Sequence, residues 1–164
     1  VGKVIRKREA VEQVRIAVEG LGGTVGKVGY FESSKYPDGT PVAYVAAIQE
    51  FGAEEQGIPA RPTMRPTIAA QSPEWARQFG AGARAVVQGK TTAPKVMEAV
   101  GMLAAGDVRK AIAELSAPPL AESTVAARRR RYADKKTKGN LSKPLVDTAV
   151  MVNALTHVVE GGGS

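Results

Sequence analysis

No cysteine occurs in the sequence, which excludes disulfide scaffolds, zinc–thiolate sites and thiol nucleophiles and fits a reducing compartment. Aromatic residues make up only 5% of the chain, so a core has to rest on Val, Ala, Leu and Ile, which are plentiful enough to build one. No run of about 18 apolar residues is present, so a membrane-spanning helix is not expected. The first ten residues, VGKVIRKREA, are charged throughout and lack the apolar region of a secretion signal. A single histidine, His157, has neither a second ligand nor a carboxylate near it in sequence and reads as a surface or half-buried strand residue. Phosphate-binding loops are also missing. Gly89-Lys90-Thr91 resembles the end of one, but Arg84 stands where its first glycine belongs; in GGTVGKV, Leu21 and Val28 occupy the required glycine and hydroxyl positions. Glu54 and Glu55 are adjacent in a loop and read as solvated or paired with Arg61 or Arg65, rather than as an acid–base pair. These absences leave no expectation of catalysis, of a cofactor, of a bound metal or of a small-molecule substrate.

What is present is unevenly placed charge and clear periodicity. Eight of the 23 Lys and Arg residues lie between Leu120 and Lys143, opposed there only by Glu122 and Asp134, so this segment carries most of the net charge of +7. Arg128, Arg129, Arg130 and Arg131 would span all faces of a helix, so at least one should turn toward the body of the protein or a partner. Together with Lys135, Lys136 and Lys138 they form a candidate contact for nucleic-acid backbone or an acidic protein surface. Only Tyr132 interleaves with them, which gives little support for base stacking.

Along the chain, Val11, Val14, Val18 and Leu21 predict a helix over 3–21 with that stripe inward, ended by Gly22-Gly23. Alternation over 24–32 predicts a strand, and SSKYPDGTP a tight reversal. VAYVAAIQEF reads as a short helix with Tyr44, Ala47, Ile48 and Phe51 on one side and Gly52 as its C-cap. QEFGAEEQGIPARPTMRPT then reads as a stiff loop. After it, Ser72 is the expected N-cap of a helix that has Pro73 at its first position and a Trp75, Phe79, Val86 stripe. The strongest helical pattern covers 94–115, with Val96, Val100, Leu103, Ala104, Val108, Ala111, Ile112 and Leu115 on one stripe, and SAPPLAEST ends it. A short basic helix follows. Residues 134–142 are expected to be a mobile basic loop. A helix capped by Asp147, with Val150, Met151 and Leu155 inward, leads to a terminal strand at THVV that pairs with 25–31. The fold expected is α+β: a small antiparallel sheet of 24–32 and 155–160 packed on a long central helix, with several shorter helices and an extended Arg-Pro loop, in one domain over 1–160 with a flexible Gly/Ser tail at 161–164.

The segments VAYVAAIQEFGA…IPARPTMRPTI and PPLAESTVAARRRR…SKPLVDTAVMVNAL, in that order over roughly 42–160, resemble the head–tail joining or tail-completion proteins of tailed bacteriophages. Their signature runs A-x-x-x-E-F-G-T…A-R-P-F-x-R-P, then P-P-L-x-x-x-T, a variable basic loop, and K-P-L-(I/V)-D-T-G-x-L-x-x-S. Here Ala53 replaces the usual Thr, Thr63 an aromatic, and Ala149 and Ala154 the usual Gly and Ser. The resemblance implies a structural, non-enzymatic virion protein of the neck, assembled in the host cytoplasm into a homo-oligomeric ring, commonly a hexamer. The ring would contact head-completion or adaptor, tail-terminator and tail-tube proteins around the DNA channel, with possible backbone contact to packaged DNA and none to membrane. On this reading Phe51 anchors the corner to the core, Gly52 turns it, and Arg61, Pro62, Arg65 and Pro66 meet the next subunit, with Pro144 and Asp147 also at the interface. The alternatives are a tail terminator, or a small basic DNA-binding protein working through 120–143.

Overall fold

The computed structural model describes residues 2–133, 141, 142, 144, 145 and 149–161, with side chains from Arg8 onward. The described residues form an α+β fold: helices α1 (Gly2–Gly22), α2 (Val42–Phe51), α3 (Met64–Val87), α4 (Ala93–Glu114), α5 (Glu122–Tyr132) and α6 (Val150–Ala154), and strands β1 (Thr24–Tyr30) and β2 (Leu155–Gly161), which pair antiparallel. The pairing of the terminal strand with the first one is the arrangement the alternation in both segments predicts. Lys135, Lys136 and Lys138 with the rest of 134–140, and the expected helix cap Asp147, lie outside the described residues.

The contacts fall into two compact units, each assembled from distant stretches of sequence: Val1–Val28 with Gln71–Ala104 and His157–Ser164, and Gly29–Ala70 with Ala105–Thr156. In the first unit Ala17, Val86 and Val96 are buried together, with Leu21 and Phe79 packed against them. Close approach here depends on glycine. A Cβ on Gly82 would collide with the Val96 side chain, and one on Gly101 would lie 2.9 Å from the His157 ring. In the second unit Val42, Val108, Ile112, Met151 and Leu155 form the core, with Tyr30, Ala46 and Met64 against it. Arg109 donates to the Leu155 carbonyl, fixing the start of β2 on α4.

Several inward faces differ from expectation. Val11, Val14 and Val18 on α1 are 64%, 43% and 57% exposed, and it is Ala17 that is buried. On α2 the buried side chains are Val42 and Glu50, while Tyr44 and Phe51 lie outward. On α4 Leu103 is partly exposed and Ala105 takes its place inside. The Arg-Pro loop is extended only from Pro59 to Thr63; α3 starts at Met64, eight residues before the expected cap Ser72, and carries Pro73 in its interior. Pro66 falls in the first turn, where its missing N–H has no intrahelical partner to lose. α6 begins at Val150, with Ala149 as its N-cap residue.

Candidate functional site

The last turn of α2 and the first turn of α3 are joined by one carboxylate. Glu50, 7% exposed, accepts the backbone N–H of Thr63 at 2.7 Å, of Met64 at 3.0 Å and of Arg65 at 2.9 Å. These are orphan donors at a helix N-terminus, where the helix dipole also favours negative charge. The Arg65 guanidinium closes the arrangement: its Nε lies 3.2 Å from Glu50 Oε1, and its terminal nitrogen donates to the Glu50 carbonyl at 2.8 Å. Burial alone would push Glu50 up, but these backbone donors and Arg65 outweigh it and hold the carboxyl below the usual glutamate range. The same guanidinium stacks 4.5 Å from the centroid of Phe51, which is 66% exposed. Phe51 is therefore not a core anchor. It forms an outward shelf with Arg65, because its position on α2 is opposite to that of Val42.

Gly52 turns the chain as expected. Its φ is 78°, its N–H caps Ile48, and a Cβ there would lie 2.9 Å from the Ala60 nitrogen. Thr63 is buried, and its carbonyl accepts the Thr67 hydroxyl at 2.7 Å.

Arg61 departs furthest from expectation. It is 5% exposed and is not offered to a neighbour. Its Nε donates to the Pro118 carbonyl at 3.0 Å, one terminal nitrogen to the Pro119 carbonyl at 2.9 Å and the other to Gln49 Oε1 at 3.3 Å. Its planar fork thereby ties the corner to the Pro118-Pro119-Leu120 segment, 57 and 58 residues further along the chain. Pro118 follows a cis peptide bond. Burial, and then the charge of Arg128, lower the affinity of Arg61 for its proton. Neither Glu54 nor Glu55 pairs with Arg61 or Arg65; both lie exposed in a short 3₁₀ turn. Pro62 is half-buried, Pro66 exposed and Pro144 buried.

Of the four consecutive arginines on α5, Arg128 is buried and Arg129, Arg130 and Arg131 are exposed, the division their helical spacing predicts. Arg61, Arg128 and Arg131 line an open groove of about 1120 Å³ with Tyr36, Leu120 and Met151. In the other unit His157 does have a carboxylate partner, brought to it by folding. Its Nε2 lies 2.9 Å from Glu98 Oε1, 59 residues away in sequence. Among the described residues no three His, Asp or Glu side chains stand together as metal ligands.

The structure thus brings Phe51, Gly52, Arg61 and Arg65 into one corner, with only Phe51 and Arg65 turned outward. Sequence reasoning missed Glu50, the hub of that corner. Its signal was an acidic residue ending an otherwise apolar helical segment, whose three partners lie 13 to 15 residues ahead. No known protein family, curated protein or solved structure matches the chain.

Proposed function

We propose that the chain is a structural subunit of a tailed-phage neck, forming a ring that completes the tail and joins it to the head around the DNA channel. The observation that carries this reading is the Arg61 fork. The two motif segments that carry the resemblance, EFG…ARPTMRP and PPL, are remote in sequence, yet Arg61 binds one to the other through both proline carbonyls. The motif residues are those that build the corner: Glu50 anchors α3, Gly52 makes a turn closed to other residues, Arg61 locks PPL, and Arg65 holds Phe51 outward. A rigid exposed aromatic–arginine pair is the composition that dominates protein interfaces. Such a corner serves assembly, with Glu50, Arg61 and Arg65 engaged in holding its parts together.

The test is complementation of a phage lacking the protein with Phe51→Ala. Phe51 is exposed, so the subunit keeps its circular dichroism spectrum, and full heads and finished tails accumulate unjoined. Normal joining by that variant overturns the interface role, and absence of the chain from purified necks overturns the function. Tails of uncontrolled length would point instead to a terminator. A second reading, a DNA-backbone binder, is favoured by one observation only, the exposure of Arg129, Arg130 and Arg131 on one short helix.

A further inference from the structure

The open groove between the Arg-Pro corner and α5 keeps its charges apart. Its buried wall holds two guanidinium groups, Arg61 at 5% exposure and Arg128 at 8%, with Arg131 exposed at the rim. The two carboxylates that line it, Asp38 and Glu122, are both exposed, and Asp38 Oδ1 accepts the Thr40 N–H at 3.0 Å. Arg61 is the sharper case. Its acceptors are two proline carbonyls and the Gln49 amide oxygen, all neutral, and among the described residues no carboxylate pairs with it. Burial and then the charge of Arg128 both act against its proton. A buried cation that has only neutral partners and a second cation near it is costly to keep. Tying the corner to the proline segment accounts for the donors of Arg61 but not for its charge. Each of its terminal nitrogens also carries a second N–H beyond the one used. Val45, Ile58, Leu120 and Met151 give the groove apolar walls, and its volume of about 1120 Å³ is far more than a single small anion fills.

We infer that this groove takes an extended segment of a partner protein, with a carboxylate of that segment lying against Arg61 and Arg128 and apolar residues beside it covering Ile58 and Leu120. The carboxylate supplies the countercharge that the buried wall lacks, and guanidinium groups meet carboxylates through paired, charge-assisted hydrogen bonds. The mixture of walls selects against other anions. Duplex DNA offers phosphates on a broad, rigid surface with no apolar groups to match Ile58 and Leu120, and a free phosphate would leave those side chains uncovered. The groove would bind such a segment whether or not the chain belongs to a neck.

Thr124 makes the test specific. It lines the groove and is exposed, so Thr124→Glu adds a carboxylate there and Thr124→Lys a cation, each without opening a core. Short random peptides are selected on the immobilised native chain, and those retained are measured by fluorescence anisotropy. The expected sequences carry Asp or Glu beside apolar residues. They bind Thr124→Glu and Arg128→Gln about tenfold more weakly than the native chain, and Thr124→Lys at least as well as the native chain. Arg129→Gln, on the same helix but outside the groove, leaves their affinity unchanged. Arg128 is buried, so its variant counts only if its circular dichroism spectrum is native; Thr124→Glu decides otherwise. A selection that retains no peptide, retained peptides without acidic residues, or equal affinity for the native chain and Thr124→Glu overturns the inference. Displacement of the peptides by inorganic phosphate at constant ionic strength, which would mark a site for free phosphate, also overturns it. So does displacement by duplex DNA, which would make the groove a nucleic-acid surface.

Discussion

Ala149 shows how a single backbone angle can carry a stability cost. It precedes α6 with φ at 58°, the left-handed region, which costs an L-residue roughly 1–2 kcal/mol. Glycine takes that angle freely. Ala149→Gly is therefore expected to stabilise the chain, by about 0.5–1 kcal/mol once the greater freedom of glycine in the unfolded chain is set against the relief. Urea unfolding of the two chains checks this; an unchanged or lower midpoint for the glycine variant would show that the angle carries no strain. Gly52 is the converse case, since its positive φ and the nearby Ala60 nitrogen both bar a side chain. Gly52 was readable in sequence because glycine announces such positions. The strain at Ala149 was not, because alanine announces nothing.

At the scale of elements, one carboxylate decides where α3 begins. Three backbone N–H groups converge on Glu50, so replacing it with glutamine presents an amide donor where acceptors are needed. Glu50→Gln is expected to cost about 1–3 kcal/mol, the penalty for buried donors left unmatched. The pH dependence has a definite sign. The folded Glu50 carboxyl lies below its usual value, so its contribution is fully present above the unfolded glutamate pKa of about 4.3 and is lost as pH falls through the folded one. Urea midpoints of the native chain should fall more steeply than those of the glutamine variant between neutral pH and about pH 3; parallel profiles would remove Glu50 from this role. The same hub explains what the sequence hid. Ser72-Pro73 has the local signature of a helix start, but the actual start is fixed by a residue 13 to 15 positions earlier, which no window around Ser72 contains. Where an element's limits are local they were legible: Gly52 ends α2, Gly22-Gly23 ends α1, and the two prolines after Glu114 stop α4. The inward face was legible on α4, whose Val96, Ala104, Val108 and Ile112 are buried as their spacing requires. On α1 and α2 the periodicity gave the helix but not its inward face: Val11, Val14 and Val18 are exposed, as are Tyr44 and Phe51, and Ala17, Val42 and Glu50 are the residues buried.

For the whole molecule the governing quantity is the placement of its charge. The net charge of +7 is concentrated near α5, where Arg128 turns inward and Arg129, Arg130 and Arg131 turn to solvent. In the proposed neck ring, three outward guanidinium groups on each subunit would meet phosphates without reading sequence. Each phosphate neutralised releases counterions, so the logarithm of the binding constant should fall with the logarithm of salt concentration by about 0.9 per contact. Replacing Arg129, Arg130 and Arg131 together with glutamine is expected to flatten that slope by about 2–3 on duplex DNA, while a random-sequence duplex and any defined one behave alike. Because all three side chains are exposed, the fold should survive, and circular dichroism would verify it. Fluorescence anisotropy across a salt series measures the slope. A variant whose slope equals that of the native chain would assign the basic surface to an acidic protein neighbour. A native chain with no duplex affinity even at low ionic strength would remove DNA contact from the proposed neck role and leave it to protein–protein contact at the Phe51–Arg65 corner.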